Sequence, residues 1–144
     1  MMNPEGAARR VLVVEDEALV AMMIADILED LGFHVVGPAA NVTQALTLIE
    51  AEGPEAAVLD VNLGGEKVYP VAEALRSRGV PHLFLTGYGA AGVDPDFATV
   101  RILQKPVREQ VLARAVAEIL PDPREAPSGG SVPALPGSPA DRVD

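Results

Sequence analysis

Residues 11–17, Val-Leu-Val-Val-Glu-Asp-Glu, place four consecutive apolar residues directly before three acids. A continuous apolar run of this length is typical of a strand that is buried on both faces of a parallel sheet. From Glu17 to Leu31 the apolar residues recur at helical spacing, and Gly32 supplies a stop signal. The stretch therefore predicts a strand–helix unit with carboxylates at its junction.

Short apolar runs and helical patterns continue to alternate as far as residue 120. Further strands are predicted at His34–Val36, Ala57–Asp60, His82–Leu85 and Val100–Gln104. Further helices are predicted from the N-cap candidate Asn41 to Glu52, at Val68–Arg78 and at Val107–Leu120. Alternation with short connections favours an α/β fold, in which helices cover both faces of a parallel sheet.

The stretch 87–99 departs from this alternation. A fourth helix belongs here if the units repeat, but each glycine in it opposes a helix by up to about 1 kcal/mol relative to alanine. We expect this element to be short or mobile. Residues 87–92, Gly-Tyr-Gly-Ala-Ala-Gly, formally match a dinucleotide-binding fingerprint. That motif should open a helix, and Val-Asp-Pro-Asp follows instead, so we interpret the match as accidental.

Composition narrows the classes of function. The chain has 144 residues, which suits one domain, and its 21 acidic against 11 basic residues give a net charge of -10. This balance argues against nucleic-acid and anionic membrane partners. Without cysteine the chain has no disulfide, thiolate metal site or cysteine nucleophile. No signal peptide or membrane span is visible, so a cytoplasmic location is expected.

Domain boundaries follow from the change in composition after residue 120. Residues 121–144 are rich in proline, glycine and serine and are expected to be a disordered tail. Residues 1–9 are expected to be a flexible N-terminus, and residues 10–120 the folded domain. Within that domain, Met22 and Met23 are expected to pack in a helix interface.

Polar residues mark the ends of four predicted strands. Glu15 and Asp16 follow the first strand, Asp60 ends the third, Thr86 follows the fourth and Lys105 the fifth. Sites in such sheets lie outside the carboxyl ends of the strands, at the switch in strand order. If the order is flavodoxin-like, the first and third strands flank that switch, and their three carboxylates converge.

Converging carboxylates need a positive charge. At about 4 Å and an effective dielectric constant of about 20, each pair of carboxylates costs about 4 kcal/mol. A divalent cation removes this cost, and oxygen-only ligands favour Mg²⁺. Lys105 would add a positive charge and Thr86 a hydroxyl. The set suits a phosphoryl group that is accepted by a carboxylate nucleophile.

Four motifs make a family resemblance specific. They are Val-Leu-Val-Val-Glu-Asp-Glu at 11–17, Val-Leu-Asp-Val-Asn-Leu at 58–63, Leu-Thr-Gly-Tyr-Gly at 85–89 and Gln-Lys-Pro at 104–106. In this order and spacing they resemble the response-regulator receiver domain, over roughly residues 10–120. The resemblance implies a flavodoxin-like (βα)5 fold, a doubly wound five-stranded parallel sheet of order 2-1-3-4-5.

The resemblance also assigns roles to individual residues. It implies that Asp60 is the phosphoacceptor, that Thr86 contacts the phosphoryl group and that Lys105 pairs with it. It implies Mg²⁺ as cofactor, with these ligands: Glu15 (through water), Asp16, Asp60 and the backbone carbonyl of Asn62. The Lys105–Pro106 peptide bond is expected to be cis, which turns Lys105 inward.

The motifs depart from the family pattern at one switch position. Typical receivers carry Tyr or Phe three residues before the lysine, where this chain has Ile102. The stretch around Tyr88 resembles a subclass of stand-alone receivers with a Phe-Ala-Thr-Gly motif. We therefore take Tyr88 and Ile102 as switch candidates, with Tyr88 taking part in the switch.

These features lead to a function and leave two alternatives. We expect a non-enzymatic signalling switch that takes its phosphoryl group from a sensor histidine kinase or a histidine phosphotransfer protein. Its output would be binding to a downstream protein or phosphoryl shuttling, as a monomer or weak dimer. One alternative is a docking module that is never phosphorylated. The other is a haloacid-dehalogenase-like phosphatase, which needs an acid where this chain has Asn62. His34 and His82 begin strands and are interpreted as structural rather than phosphorelay histidines.

Overall fold

The computed structural model of the chain describes residues 8–88 and 92–120. The predicted tail, residues 121–144, and most of the predicted flexible N-terminus therefore lie outside the described residues. Within them the strands are β1 Arg10–Val14, β2 His34–Ala39, β3 Ala56–Asp60, β4 Asn62–Leu63, β5 Glu66–Lys67, β6 His82–Thr86 and β7 Arg101–Gln104. The helices are α1 Ala18–Asp30, α2 Val42–Glu52, α3 Tyr69–Ser77 and α4 Glu109–Ile119.

Five strands form one parallel sheet in the order β2-β1-β3-β6-β7. Counting only these long strands, the order is 2-1-3-4-5, so the predicted flavodoxin-like fold is confirmed. Alternate residues of β1 point to opposite faces. Leu12 and Val14 join a core layer beneath α2 and α3, and Val11 and Val13 join a second layer beneath α1 and α4. This two-sided burial explains the uninterrupted apolar runs of the central strands.

Strand β2 is longer than predicted. Its predicted end at Gly37-Pro38 is wrong, because the strand continues to Ala39 through a bulge between two register pairs with β1. Gly37 has a φ of +97°, and the Gly37–Pro38 peptide bond is cis. Proline is tolerated because β2 lies at the sheet edge. The extension matters for the site, since the Ala39 carbonyl accepts a hydrogen bond from the Glu15 N–H at 2.9 Å.

A short antiparallel hairpin, β4–β5, follows Asp60 and was not predicted. Its two-residue loop is Gly64-Gly65, with φ of +64° and +96°, the left-handed conformation that such a turn requires. The Glu66 carboxylate accepts a hydrogen bond from the Val42 N–H at the start of α2. The strands are two residues each, too short for an alternating pattern to be visible in the sequence.

Among the described residues of the stretch 87–99, one secondary-structure element has three or more residues, and it is a 3₁₀ turn at Pro95–Phe97. Asp94 caps this turn by accepting a hydrogen bond from the Asp96 N–H at 2.9 Å. A short element was predicted here, while residues 89–91 lie outside the described part of the chain. No helix within the described residues is long and apolar enough to cross a membrane.

His82, at the start of β6, allows a test of how burial of an imidazole affects the stability of the domain. Its Nδ1 lies 3.1 Å from the Val80 carbonyl, its Nε2 is buried with no partner among the described residues, and burial lowers the pKa of the ring. The unfolded chain therefore binds the proton on this ring more tightly, so the contribution of His82 to stability should fall as pH drops below about 6.5. We expect His82→Phe to be about 1 kcal/mol more stable at pH 7 and to lose this dependence, measured by urea unfolding between pH 5 and 8.

His34→Gln is the matched control, because His34 is the second histidine of the chain and is exposed. That variant should keep the pH dependence of the wild type. An equal slope in His82→Phe and the wild type would show that His82 is not the titrating group.

Candidate functional site

The carboxyl ends of β1, β3, β6 and β7 meet at one edge of the sheet and form an open cleft of about 370 Å³. Strand register brings them together. Val14 pairs with Leu59, so Glu15 follows directly beside Asp60. The cleft is lined by Asp16, Glu17, Asp60, Asn62, Gly64, Thr86, Gly87, Tyr88 and Lys105. The structure thus brings the predicted carboxylates, hydroxyl and ammonium into one place.

Lys105 lies at the centre of this charge cluster. Its Nζ is 3.1 Å from Asp60 Oδ2, 3.3 Å from Glu15 Oε1 and 3.4 Å from Glu17 Oε1. Burial alone would lower the pKa of Lys105. The hydrogen bond to Asp60 and the charges of both buried acids outweigh this effect and raise the pKa to about 12. Lys105 therefore stays charged and offsets the repulsion among the acids.

Glu15 is 2% exposed and is the most constrained of the acids. Its backbone N–H donates to the Ala39 carbonyl, and its Oε2 accepts a hydrogen bond from the Glu17 N–H at 3.1 Å. Burial, together with the neighbouring Asp60, raises the pKa of Glu15 to about 7, against the opposing effects of the Glu17 N–H and Lys105. Near neutral pH this site can thus hold either a proton or an added cation.

Asp60, the last residue of β3, is 4% exposed, and each of its carboxylate oxygens has a partner. Oδ1 accepts a hydrogen bond from the Asn62 N–H at 3.2 Å, and Oδ2 contacts Lys105. The carboxylate faces the cleft and not the core. A buried, oriented carboxylate with an ammonium beside it is suited to attack an electrophilic phosphorus centre.

The carboxylates of Glu15, Asp16 and Asp60 are placed so that together they could hold a cation. One oxygen from each of Glu15, Asp16 and Asp60 lies within 4.8 Å of the others. An all-oxygen set with excess negative charge fits a hard divalent ion, and Mg²⁺ in particular when a phosphoryl group completes the shell. Asn62 lines the same cleft, and its side-chain oxygen accepts a hydrogen bond from the Gly65 N–H.

The two switch candidates have different surroundings. Tyr88 is 76% exposed at the mouth of the cleft, and its N–H donates to Thr86 Oγ1 at 3.1 Å. Ile102 in β7 pairs with Phe84 and packs against the core layer beneath α2 and α3. The Lys105–Pro106 peptide bond is cis, and the Lys105 N–H donates to the Thr86 carbonyl at 2.9 Å.

Sequence reasoning did not predict the contacts that three residues make in the site. Glu17, taken as the start of a helix, contacts Lys105. Gly64 lies beside Asp16, and an added Cβ would be in van der Waals contact with Asp16 Oδ2 at 3.4 Å. Gly92 lies against Thr86. The run of acids at residues 15–17 already indicated that Glu17 could lie near the site. The contacts of the two glycines depend on loop geometry, which the sequence pattern does not show.

Comparison with known proteins shows the family to which the chain is similar. The family model of the response regulator receiver domain matches residues 11–117. The transcriptional regulatory protein PdtaR of Mycobacterium tuberculosis is 33% identical over 81 residues, which are 56% of this chain and 40% of PdtaR. The chain thus spans less than half the length of that curated relative.

Solved structures resemble the chain over most of its length. SdrG from Sphingomonas melonis Fr1 is 46% identical, with a TM-score of 0.71 over 81% of this chain and 99% of SdrG. Its BeF3-activated conformation gives a TM-score of 0.68 at the same identity and coverage. The PhyR receiver domain of Erythrobacter litoralis is 27% identical, with a TM-score of 0.72 over 79% of this chain and 91% of that domain. The chain belongs to the response-regulator receiver-domain family, and this membership supports a role in two-component signalling.

Proposed function

We propose that the chain is a phosphoacceptor switch, in which Asp60 takes a phosphoryl group from the phosphohistidine of a sensor histidine kinase or a histidine phosphotransfer protein. The observation that carries this proposal is the setting of Asp60. It is a buried carboxylate that lines the cleft, with one oxygen held by Lys105 and the other by the Asn62 N–H. Family membership supports the same role.

The transfer follows from these contacts. A carboxylate oxygen of Asp60 attacks phosphorus, the P–N bond of the donor breaks, and the imidazole leaves. Lys105 Nζ and Thr86 Oγ1 line the cleft and would stabilise the equatorial oxygens. Mg²⁺, when bound by Asp16, Asp60, the Asn62 carbonyl and Glu15 through water, would neutralise the charge of the phosphoryl group.

Phosphorylation would redistribute the contacts of Lys105. It adds about -1.5 to -2 charges at Asp60, so the ammonium gains a stronger partner than Glu15 or the exposed Glu17. Thr86 Oγ1 would turn toward the phosphoryl oxygens and away from the Tyr88 N–H. The proposed output is a change of this surface that a downstream protein reads, or phosphoryl shuttling between partners.

A docking surface for the donor lies beside the cleft. Leu19, Met22 and Met23 on α1 are 81%, 59% and 40% exposed, so the expectation that both methionines pack in a helix interface within the domain is wrong. These three residues form an apolar patch that starts two residues after Glu17, with Asp26 and Asp30 along its side. We infer that helices around the donor histidine pack here, since a donor must approach Asp60 from this edge.

Phosphorylation is tested with acetyl phosphate and Mg²⁺, followed by intact mass. The wild type should gain one phosphoryl group, and EDTA should abolish the gain. Asp60→Asn should gain none, because an amide is not a nucleophile at phosphorus. Asp30→Asn, which removes an exposed carboxylate of α1, should behave as wild type. Equal phosphorylation of Asp60→Asn would refute the assignment.

Docking is tested separately from chemistry. Met22→Glu should lower phosphotransfer from a radiolabelled histidine kinase that phosphorylates the wild type by at least tenfold. The same variant should keep its rate with acetyl phosphate within about twofold. Leu31→Glu alters an exposed apolar residue at the far end of α1 and is the control. Unchanged transfer to Met22→Glu would contradict docking of the donor on this patch.

The pKa of Glu15 gives a pH dependence for the metal. A proton on Glu15 competes with the cation, so affinity for Mg²⁺ should fall as pH drops through about 7. Between pH 8 and pH 6 the expected loss is about tenfold, measured by calorimetric titration with MgCl₂. Glu15→Gln should bind more weakly and with a flat profile. Equal wild-type affinity at both pH values would contradict this prediction.

A further inference from the structure

Three aromatic rings lie behind the cleft, and we call them the aromatic cluster: Tyr69 at the start of α3, Phe84 in β6 and Phe97 in the 3₁₀ turn. The Tyr69 ring stacks on Phe97 with centroids 5.1 Å apart and planes at 12°, and it meets Phe84 edge-on at 6.1 Å. The Arg76 guanidinium lies 4.3 Å from the Phe97 centroid. The aromatic cluster therefore joins α3, β6 and the turn into one packed unit.

The hydroxyl of Tyr69 makes contacts that ring packing does not require. It accepts a hydrogen bond from the Asp94 N–H at 2.8 Å and donates one to the Gly92 carbonyl at 3.5 Å. Both functions of the hydroxyl are thus used on the backbone between β6 and the turn. Tyr69 ties Gly92 and Asp94 to the first turn of α3.

The Gly92 backbone lies next to Thr86, the residue proposed to contact the phosphoryl group. A Cβ at Gly92 would lie 3.1 Å from Thr86 Oγ1 and 2.9 Å from Tyr88 Cβ. Such distances leave no room for a side chain, so the Gly92 backbone forms the wall beside Thr86. A reorientation of the Thr86 hydroxyl toward Asp60 would open space beside the Gly92 backbone.

We propose that Tyr69 is a positioning residue of the switch: its hydroxyl holds Gly92 against Thr86 in the resting state and thereby couples phosphorylation of Asp60 to α3. This inference rests on the proposed phosphoacceptor function. It places the polar aromatic of the switch on α3, whereas the position on β7 holds Ile102, which has no polar group. Ile102 pairs with Phe84 and packs on the same core layer as the aromatic cluster.

Tyr69→Phe tests the inference, because it removes the hydroxyl and keeps the stacked ring. Amide NMR spectra are recorded with and without Mg²⁺ and beryllofluoride. In the wild type, shifts should extend from Asp60 and Thr86 to Asp94 and to Val71 and Ala72. In Tyr69→Phe, the adduct should form with the same stoichiometry, while the shifts at Asp94, Val71 and Ala72 should fall below half of their wild-type size.

A second variant probes the same contact from the other side. Gly92→Ala crowds Thr86 and Tyr88, so their resting amide shifts should already differ from those of the wild type. Thr47→Val is the control, because it removes a hydroxyl that donates to the Thr43 carbonyl on the exposed face of α2. The beryllofluoride-induced shifts of that control should match the wild type.

Two results would overturn the inference, and they are distinguishable. Full wild-type shifts at Asp94, Val71 and Ala72 in Tyr69→Phe would show that the hydroxyl carries no coupling, while the phosphoacceptor function stands. Absence of any beryllofluoride-induced shift at Asp60 and Thr86 in the wild type would contradict the proposed function itself, and the inference with it.

Discussion

The repulsion among acids at the carboxyl edge of the sheet is the constraint on which the rest of this structure depends. Glu15 and Asp60 are almost fully buried, and Asp16 and Glu17 lie beside them. At an effective dielectric constant of about 20, each close pair of charges costs several kcal/mol. In the described residues, Lys105 offsets this cost through contacts with three carboxylates, and a proton on Glu15 offsets more of it. A site that stores this much negative charge is ready for a cation and a phosphoryl group.

The parallel register delivers these groups to one point without long loops. Each group lies at or just past the end of a strand, and each strand is held by a neighbour on both sides except at the sheet edges. The apolar face of each strand is buried in one of two core layers, so the ends cannot slide without exposing side chains. Rigidity in the sheet therefore positions the charges, while the surrounding loops are left to respond to a change at Asp60.

Much of this arrangement was predictable, because it depends on short-range pattern. The apolar runs before Glu15 and at Ala57–Asp60 identify buried strands, and their order along the chain implies the sheet. What escaped prediction depends on contacts between distant residues. The Glu66 carboxylate accepts a hydrogen bond from the N–H at the start of α2, and the Tyr69 hydroxyl accepts one from the Asp94 N–H. An added Cβ at Gly92 would crowd Thr86. Exposure of Met22 was missed because helical spacing shows which residues share a face, and not whether another element covers that face.

The central claim is that Asp60 is the acceptor and that Lys105 exchanges partners when it is occupied. A structure of the chain with Mg²⁺ and beryllofluoride tests it most directly. We predict a beryllofluoride adduct on Asp60, with Lys105 Nζ and Thr86 Oγ1 in contact with fluorine and Glu17 released from Lys105. Asp60 without an adduct at saturating beryllofluoride, or an adduct with Lys105 still bound to Glu15 and Glu17, would contradict it.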